Sequence, residues 1–241
     1  MRFDFKLNEI QYIQKQFRFP SLIGVERRLL PTLGVEKKLK EKKYLDCNSS
    51  ERVELSTECR YLFSAWEKMR YSIVRADEEQ KNRFFCVLAN EKDIILIDQV
   101  GADFVVEVID FSVKVMDRIL FNITGMDASK VCEDSFNISL PMEEATKFLT
   151  AKKTEYALWS EKLGLNINEL EAYFTALNEQ KHFVMCLCED HIDQRGAMIK
   201  IVNTEHGVYA LKHVTPKDMT NEKMVLLKGN AQAIVDSIYI F

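Results

Sequence analysis

Glycine, proline and basic charge are all scarce in this chain of 241 residues. It has 8 Gly and 4 Pro, which leaves little room for a flexible linker between domains. Its 33 Lys and Arg residues are outnumbered by 37 Asp and Glu residues, so the net charge at pH 7 is −4. A general nucleic-acid-binding protein usually has a clear basic excess. We therefore expect no nucleic-acid partner.

Long apolar runs are also absent. No run approaches the roughly 18 residues that a membrane-spanning helix needs. Residues 1–16 mix charged and apolar side chains, so they lack the apolar core of a signal peptide. Most of the six cysteines fall in apolar helix or strand patterns, where a free thiol packs as a small hydrophobe. These features predict a cytoplasmic protein with reduced thiols and no membrane insertion.

The chain does have the composition of a packed protein, and it contains an internal repeat. Hydrophobic residues make up 47% of it and aromatic residues 10%. Residues 61–66 match residues 172–177 at an offset of 111, which pairs Phe63 with Phe174. In both copies a helix pattern then turns into an apolar strand pattern. The shared order of elements indicates a duplication.

Each half is predicted to contain about four strands between helices. The predicted strands lie near residues 71–75, 84–89, 94–98 and 104–109, and near 183–188, 198–202, 208–211 and 224–227. Turns of hairpin length imply antiparallel pairing. The sequence therefore predicts a duplicated α+β fold with antiparallel strands. Its halves, 1–130 and 131–241, are expected to form one continuous structural unit.

Four residues mark the expected helix ends. Asn8 and Ser56 are predicted N-caps, since their short polar side chains accept hydrogen bonds from the first turn. Pro141 is predicted near a first helical turn, where its missing N–H costs nothing. Gly164 is a predicted helix stop, because glycine adopts the left-handed conformation that ends many helices.

One group of residues raises the possibility of chemistry: Cys186, Cys188 and His191. Two thiols and an imidazole are zinc ligands in other proteins, but this spacing is not that of a zinc knuckle. In a strand, residues two apart share a face, so both thiols are expected in a sheet core. No catalytic motif accompanies them. We expect no catalytic residue, no metal, no cofactor and no enzyme activity, with a hydrolase using this region as the alternative.

A second alternative is a DNA-binding regulator. Residues 7–66 loosely resemble the helices of a winged-helix domain, with residues 84–98 as the wing. The candidate recognition helix, residues 58–68, has few basic residues and no clear base-reading set. The lysine-rich segment 36–43 contains interleaved glutamates, which favours a solvated helix face over a phosphate-binding one.

The layout as a whole resembles that of a known family. It consists of a first segment Leu-Asn-Glu-Ile at 7–10, a Pro-containing stretch at 19–22, a short helix ending at 43–45, a helix opening at 55–57, and strands from 72–74 onward, after which the arrangement repeats. This order is similar to that of the EspG-type chaperones of type VII (ESX) secretion systems and their relatives in Gram-positive bacteria. The resemblance covers nearly the whole chain but includes no diagnostic motif.

The resemblance implies a pseudo-two-fold α+β fold, with a central antiparallel sheet flanked by helical bundles. It also implies a cytoplasmic binding protein. Members of the family bind particular secretion substrates and cover an aggregation-prone apolar surface until export. We therefore expect a substrate-specific chaperone or adaptor whose partner is a helical secreted protein. The family offers no binding motif to match here, so contact residues are predicted by position on exposed hairpin turns alone. They are Glu91, Lys92 and Asp93 in the first half, and Glu205, His206 and Tyr209 in the second.

Overall fold

The computed structural model describes most of the chain. The described residues are 1–19, 22, 24–25, 31–47, 52–76, 82–89, 92–129, 132, 134–179, 183–191, 193–205, 207–216 and 222–238. Within them the chain forms helices and antiparallel strands, so the predicted α+β class is confirmed. Two compact units are present, one of Met1–Ser72 with Lys81–Ser112 and one of Ile73–Gln80 with Val113–Phe241.

The first unit contains a sheet and three helices. Its strands are β1 (Arg2–Lys6), β2 (Leu45–Cys47), β3 (Val53–Leu55), β5 (Asn82–Ala89), β6 (Asp93–Val100) and β7 (Asp103–Asp110), and its helices are α1 (Leu7–Phe17), α2 (Val35–Glu41) and α3 (Thr57–Glu67). Strand β4 (Met69–Ala76) contains the boundary between the units. The sheet order is β1-β7-β6-β5, all antiparallel, and β2 pairs separately with β3.

Alternation of side chains places the core of the first unit. Along β1, Phe3 and Phe5 are buried while their neighbours are exposed, which is the period of two expected for a strand with one covered face. Ile10 and Ile13 of α1 and Phe63 of α3 are fully buried. The ring centroids of Phe5 and Phe63 lie 5.8 Å apart in an edge-to-face arrangement, a favoured geometry for aromatic pairs.

The second unit repeats this plan with more helices. Its helices are α4 (Val113–Thr124), α5 (Met142–Leu149), α6 (Tyr156–Leu163), α7 (Ile167–Glu179) and α8 (Ala231–Ile238), with a 3-10 turn at Lys153–Glu155, and its strands are β8 (Phe136–Pro141), β9 (Val184–Asp190), β10 (Arg195–Thr204), β11 (Gly207–Thr215) and β12 (Lys223–Gly229). The sheet order is β8-β12-β11-β10-β9, again antiparallel.

Helices cover both faces of this second sheet. On one face, Phe148 of α5, Trp159 of α6 and Tyr173 of α7 form a buried aromatic cluster that also includes Leu226 of β12. On the other face, Lys212 of β11 donates a hydrogen bond to the carbonyl of Ser237, near the end of α8. Helix α8 also contacts α4 within this unit. Both alternating sets of side chains in the central strands are therefore largely buried.

The repeat is visible in the pairing as well as in the order of elements. In each copy a strand followed by a helix pairs with the last of the four strands predicted for that copy: β1 with β7, and β8 with β12. The eight strands predicted from sequence are confirmed as β4–β7 and β9–β12. Strands β1 and β8 were not predicted, because the helix signals directly after them dominated the pattern.

Two of the predicted helix ends are confirmed. Ser56 is the N-cap of α3, and its hydroxyl accepts a hydrogen bond from the backbone N–H of Cys59 at 3.3 Å. Gly164 ends α6 with a left-handed φ of 66°.

The predicted cap at Asn8 is wrong. Asn8 lies inside α1, whose N-cap is Lys6 with its N–H bonded to the Glu9 carboxylate at 2.8 Å. Pro141 ends strand β8 and is the N-cap residue of α5, so it lies next to the first helical turn, as predicted. In both places an edge strand runs straight into a helix.

Candidate protein-binding surface

The six positions proposed for partner contact do not share one environment. Lys92 and Glu205 are exposed, as a position on a hairpin turn requires. Glu91 and His206 lie outside the described residues. Asp93 and Tyr209 are only 7% and 3% exposed, so the expectation that they lie on an exposed surface is wrong. The role of these residues in binding stays a prediction.

Asp93 is the first residue of β6, and its buried carboxylate has a hydrogen-bond partner within the same unit. The Tyr61 hydroxyl donates a hydrogen bond to Asp93 Oδ2 at 2.5 Å. This bond, together with partial burial, raises the pKa of Tyr61. Asp93 also faces Asp110 across the strand pair, and both line a depression of about 620 Å³ with Glu58. The site holds negative charge inside the first unit.

Tyr209 is buried because β11 places its ring on the helix-covered face. Its ring centroid lies 6.0 Å from that of Tyr173, and burial raises the pKa of its hydroxyl. The Lys228 ammonium lies 5.9 Å from the centre of the same ring. The ammonium also lies 3.7 Å from Glu169. Tyr209 therefore stabilises the core of the second unit.

The two thiols considered for catalysis are inside the sheet. Cys186 and Cys188 are 0% and 1% exposed. Cys186 faces Ile199, which faces Lys212, so the thiols lie on the side covered by α8. Burial raises the pKa of Cys186 to about 12, which removes the reactive thiolate at neutral pH. Among the described residues, no group of three His, Cys, Asp or Glu side chains could hold a metal ion.

The opposite side of the same hairpin exposes two apolar side chains. Leu187 is 42% exposed and Met198 46% exposed, and the two residues are directly paired across β9 and β10. Directly opposed side chains on a sheet face have Cβ atoms about 5 Å apart. The pair, called here the Leu187–Met198 patch, therefore forms a continuous apolar surface.

Polar and charged groups surround this patch. It lines a groove of about 430 Å³ together with Glu189, His191, Arg195 and Thr215. The His191 ring and the Glu189 carboxylate are 4.0 Å apart. Arg195 bonds Asp193 at 2.7 Å. An apolar centre inside a polar rim is the usual anatomy of a protein-binding surface.

The Leu187–Met198 patch belongs to a row of side chains that crosses the whole second sheet. Met198 faces His213, His213 faces Met224, and Met224 faces Leu140 of β8. Met224 and Leu140 lie under the helices. The row thus starts in the covered core and ends exposed at β9 and β10.

Sequence reasoning missed the patch although a signal for it was present. Placing Cys186 and Cys188 in the core forces Leu187, between them, to the other face. Whether that other face is buried depends on how far the helices extend across the sheet. Helices α5–α7 leave Met198 exposed. Helix ends on the sheet are set by tertiary packing, which one sequence does not reveal.

The features behind the DNA-binding alternative have structural roles. Strand β6 pairs with both β5 and β7, so the proposed wing is an interior hairpin of the first sheet. In the lysine-rich helix α2, Lys40 pairs with Glu36 at 2.7 Å. The Tyr12 hydroxyl also bonds Glu36, at 2.8 Å. Lys37, Lys38 and Glu41 of the same helix are exposed, as predicted for a solvated helix face.

Comparison with known proteins identifies a similar fold. Over the described residues, no helix is both long and apolar enough to cross a bilayer. No family model and no curated protein matches the sequence. Among solved structures, the chain is similar to the Mycobacterium tuberculosis type VII secretion system chaperone EspG5, determined in complex with the PE25–PPE41 dimer. The TM-score is 0.65 at 11% identity, covering 99% of this chain and 94% of that chain. The two chains therefore share a fold along nearly their full length.

Proposed function

We propose that this chain is a cytoplasmic binding protein that acts as a chaperone or adaptor for a helical protein exported by a type VII secretion system. The observation that carries the proposal is the shared fold with EspG5, itself a type VII secretion chaperone, over 99% of the chain. The matched layout of the repeat, from β1 to α8, supports it because the correspondence is not limited to one half.

The chemistry of the surface supports binding over catalysis. The thiols of the hydrolase alternative are shielded, and the pKa of Cys186 is about 12. The Leu187–Met198 patch offers exposed apolar area with a charged rim, which fits the apolar face of a helix. A chaperone that covers such a face keeps its client soluble by removing apolar surface from water.

Co-expression tests the proposal. The chain is co-expressed with each small helical secreted protein encoded at a type VII locus of its source genome, and the complexes are purified through a tag on the chain. We expect a stoichiometric complex with at least one of them, and a more soluble client. Failure with every such protein would contradict the proposal.

A matched pair of variants locates the surface. Leu187→Asp with Met198→Asp places two charges in the patch, whereas Leu158→Asp changes an exposed leucine of α6 that lies outside it. Only the double variant is expected to lose the client. Equal loss of client binding in both variants would indicate that the client binds elsewhere.

A further inference from the structure

The outer edge of β8 has backbone groups that pair with no strand in the described part of the chain. The N–H of Met142 bonds the carbonyl of Glu222 at 3.3 Å, and the β8–β12 register places Leu140 and Ile138 at the next hydrogen-bonded positions. Bonded positions alternate in an antiparallel pair. The backbone groups of Asn137 and Ser139 therefore point away from β12. Pro141 has the same parity, so its missing N–H costs no ladder bond.

Among the residues that the structure describes, no partner bonds these outward groups. Asn137 and Ser139 are exposed, and no hydrogen bond joins their backbone N–H or carbonyl groups to other described residues. A row of such groups is a template for an added strand. Their neighbours Phe136 and Ile138 are partly buried against the aromatic cluster of the second unit. An added strand would extend that apolar surface.

The equivalent edge in the first repeat is blocked. The backbone N–H of Asp4 donates to the Tyr44 hydroxyl at 2.9 Å, and the Asp4 carbonyl accepts from Lys42 Nζ at 2.9 Å. The N–H of Lys6 is taken by Glu9. Asp4 corresponds to Ser139, since each lies three residues before the helix that follows its strand. Two side chains thus occupy the position that an added strand would take beside β1.

The second repeat lacks both blocking side chains. Helices α2 and α6 end alike: the N–H of Tyr44 bonds the carbonyl of Leu39 at 2.9 Å, and the N–H of Leu165 bonds that of Ser160 at 3.1 Å. The residues that precede Tyr44 and Leu165 are both left-handed: Lys43 has a φ of 60° and Gly164 a φ of 66°. This equivalence places Leu165 at the position of Tyr44 and Leu163 at that of Lys42. Neither leucine side chain can form a hydrogen bond with a backbone group of β8.

We propose that the open edge of β8 binds an extended segment of the client, which pairs as an added strand with Asn137 and Ser139. The proposal rests on the proposed function, because it assigns this edge to the same client. The segment is expected to have apolar side chains beside Phe136 and Ile138 and polar ones beside Asn137 and Ser139. It has no proline where it bonds β8.

A client segment fits this edge better than a second copy of the chain. Stable dimers bury about 800 Å² per partner over 20–30 residues, whereas β8 has 6 residues. A short strand suits a ligand that is already held elsewhere, because tethering raises its effective concentration. Leu140 of β8 and Met198 share the cross-sheet row. Three strand spacings separate β8 from β10, about 14 Å.

Nuclear magnetic resonance with a defined peptide tests the edge without any client. The probe is acetyl-Lys-Thr-Val-Thr-Val-Thr-Lys-amide, titrated to millimolar concentration into the ¹⁵N-labelled full chain. We expect amide shift changes centred on Asn137 and Ser139, with slower hydrogen exchange there. The Asp4 amide is the internal control and is expected to stay unchanged, because its partner is in place.

Variants separate backbone pairing from other binding. Ser139→Pro removes the outward N–H and is expected to weaken peptide binding about tenfold, the effect of losing one good hydrogen bond. Ser139→Ala keeps the N–H and is expected to bind as the wild type does. Shift changes absent from β8, or equal at Asp4, would overturn the proposal. Client co-expression is a separate readout, so its failure would contradict the proposed function and leave the peptide result standing.

Discussion

The carboxylate of Asp93 is one residue on which the first unit depends. It is 7% exposed and faces Asp110. The Tyr61 hydroxyl donates a hydrogen bond to it at 2.5 Å. A buried carboxylate that loses a donor bears a desolvation cost. Sequence pattern predicted the strand but not this pair, because the contact joins residues 32 positions apart.

Replacing Tyr61 with Phe is expected to lower the free energy of unfolding by about 1–2 kcal/mol, the usual cost of leaving a buried polar group without its partner. Urea unfolding at pH 7 measures it. Asp110→Asn removes the like charge opposite Asp93 and is the control, expected to keep or raise stability. Equal stability of the wild type and the Tyr61→Phe variant would contradict the importance of the bond.

The same pair predicts a pH dependence. The hydrogen bond to Asp93, followed by burial, raises the pKa of Tyr61, so folding favours the protonated phenol. The stabilisation is complete below the unfolded pKa of about 10 and is lost as the pH rises through the higher folded value. In alkaline urea titrations the stability difference between wild type and Tyr61→Phe is expected to shrink. A constant difference up to pH 12 would count against this assignment.

Thiol labelling tests the placement of the cysteines. Cys47 is exposed, whereas Cys59 and Cys186 are buried with pKa values raised to about 12 by burial. Iodoacetamide at pH 7.5, followed by mass spectrometry of peptides, is expected to modify Cys47 first and to spare Cys59 and Cys186 until the protein unfolds. Fast labelling of Cys186 in the native protein would revive the hydrolase alternative.

At the scale of elements, the consecutive hairpin strands of the two larger sheets were predictable, whereas the edge strands β1 and β8 and the short β2–β3 pair were not. Strands β4–β7 and β9–β12 follow one another with short turns, so local alternation is enough to find them. Strands β1 and β7 pair although about a hundred residues separate them in the sequence. For example, the Met1 ammonium donates a hydrogen bond to the Val108 carbonyl. The alternation of β1, Phe3 and Phe5 between charged residues, was present but short.

The aromatic cluster under α5–α7 holds the helical layer of the second unit. The Phe148 ring lies 4.7 Å from that of Phe174 and 5.3 Å from that of Trp159. Phe148→Ala is expected to cost about 3–5 kcal/mol, since it leaves a cavity in a packed core. Leu158→Ala, at 67% exposure, is the control and is expected to cost under about 0.5 kcal/mol. Similar losses of stability for the two variants, in thermal and urea unfolding, would contradict this packing.

At the scale of the whole chain, the duplicated layout was readable but the difference between its copies was not. The repeat emerged from helix-to-strand transitions such as those near Ile73 and Val184. The copies differ at their strand edges, where Tyr44 and Lys42 are replaced by Leu165 and Leu163. That difference depends on which side chain reaches which backbone group, and hydrophobic pattern carries no such information. The exposure of the Leu187–Met198 patch was likewise hidden, because helix packing decides which apolar side chains stay exposed.

We propose that this chain binds a secreted helical protein through the Leu187–Met198 patch. Isothermal titration calorimetry with the client found by co-expression tests it most directly, using the wild type, the Leu187→Asp/Met198→Asp variant and the Leu158→Asp control. We expect the double variant alone to bind the client at least about tenfold more weakly, because a charge in a desolvated contact costs more than 1.4 kcal/mol. Equal affinity for all three proteins, with each still folded, would contradict it.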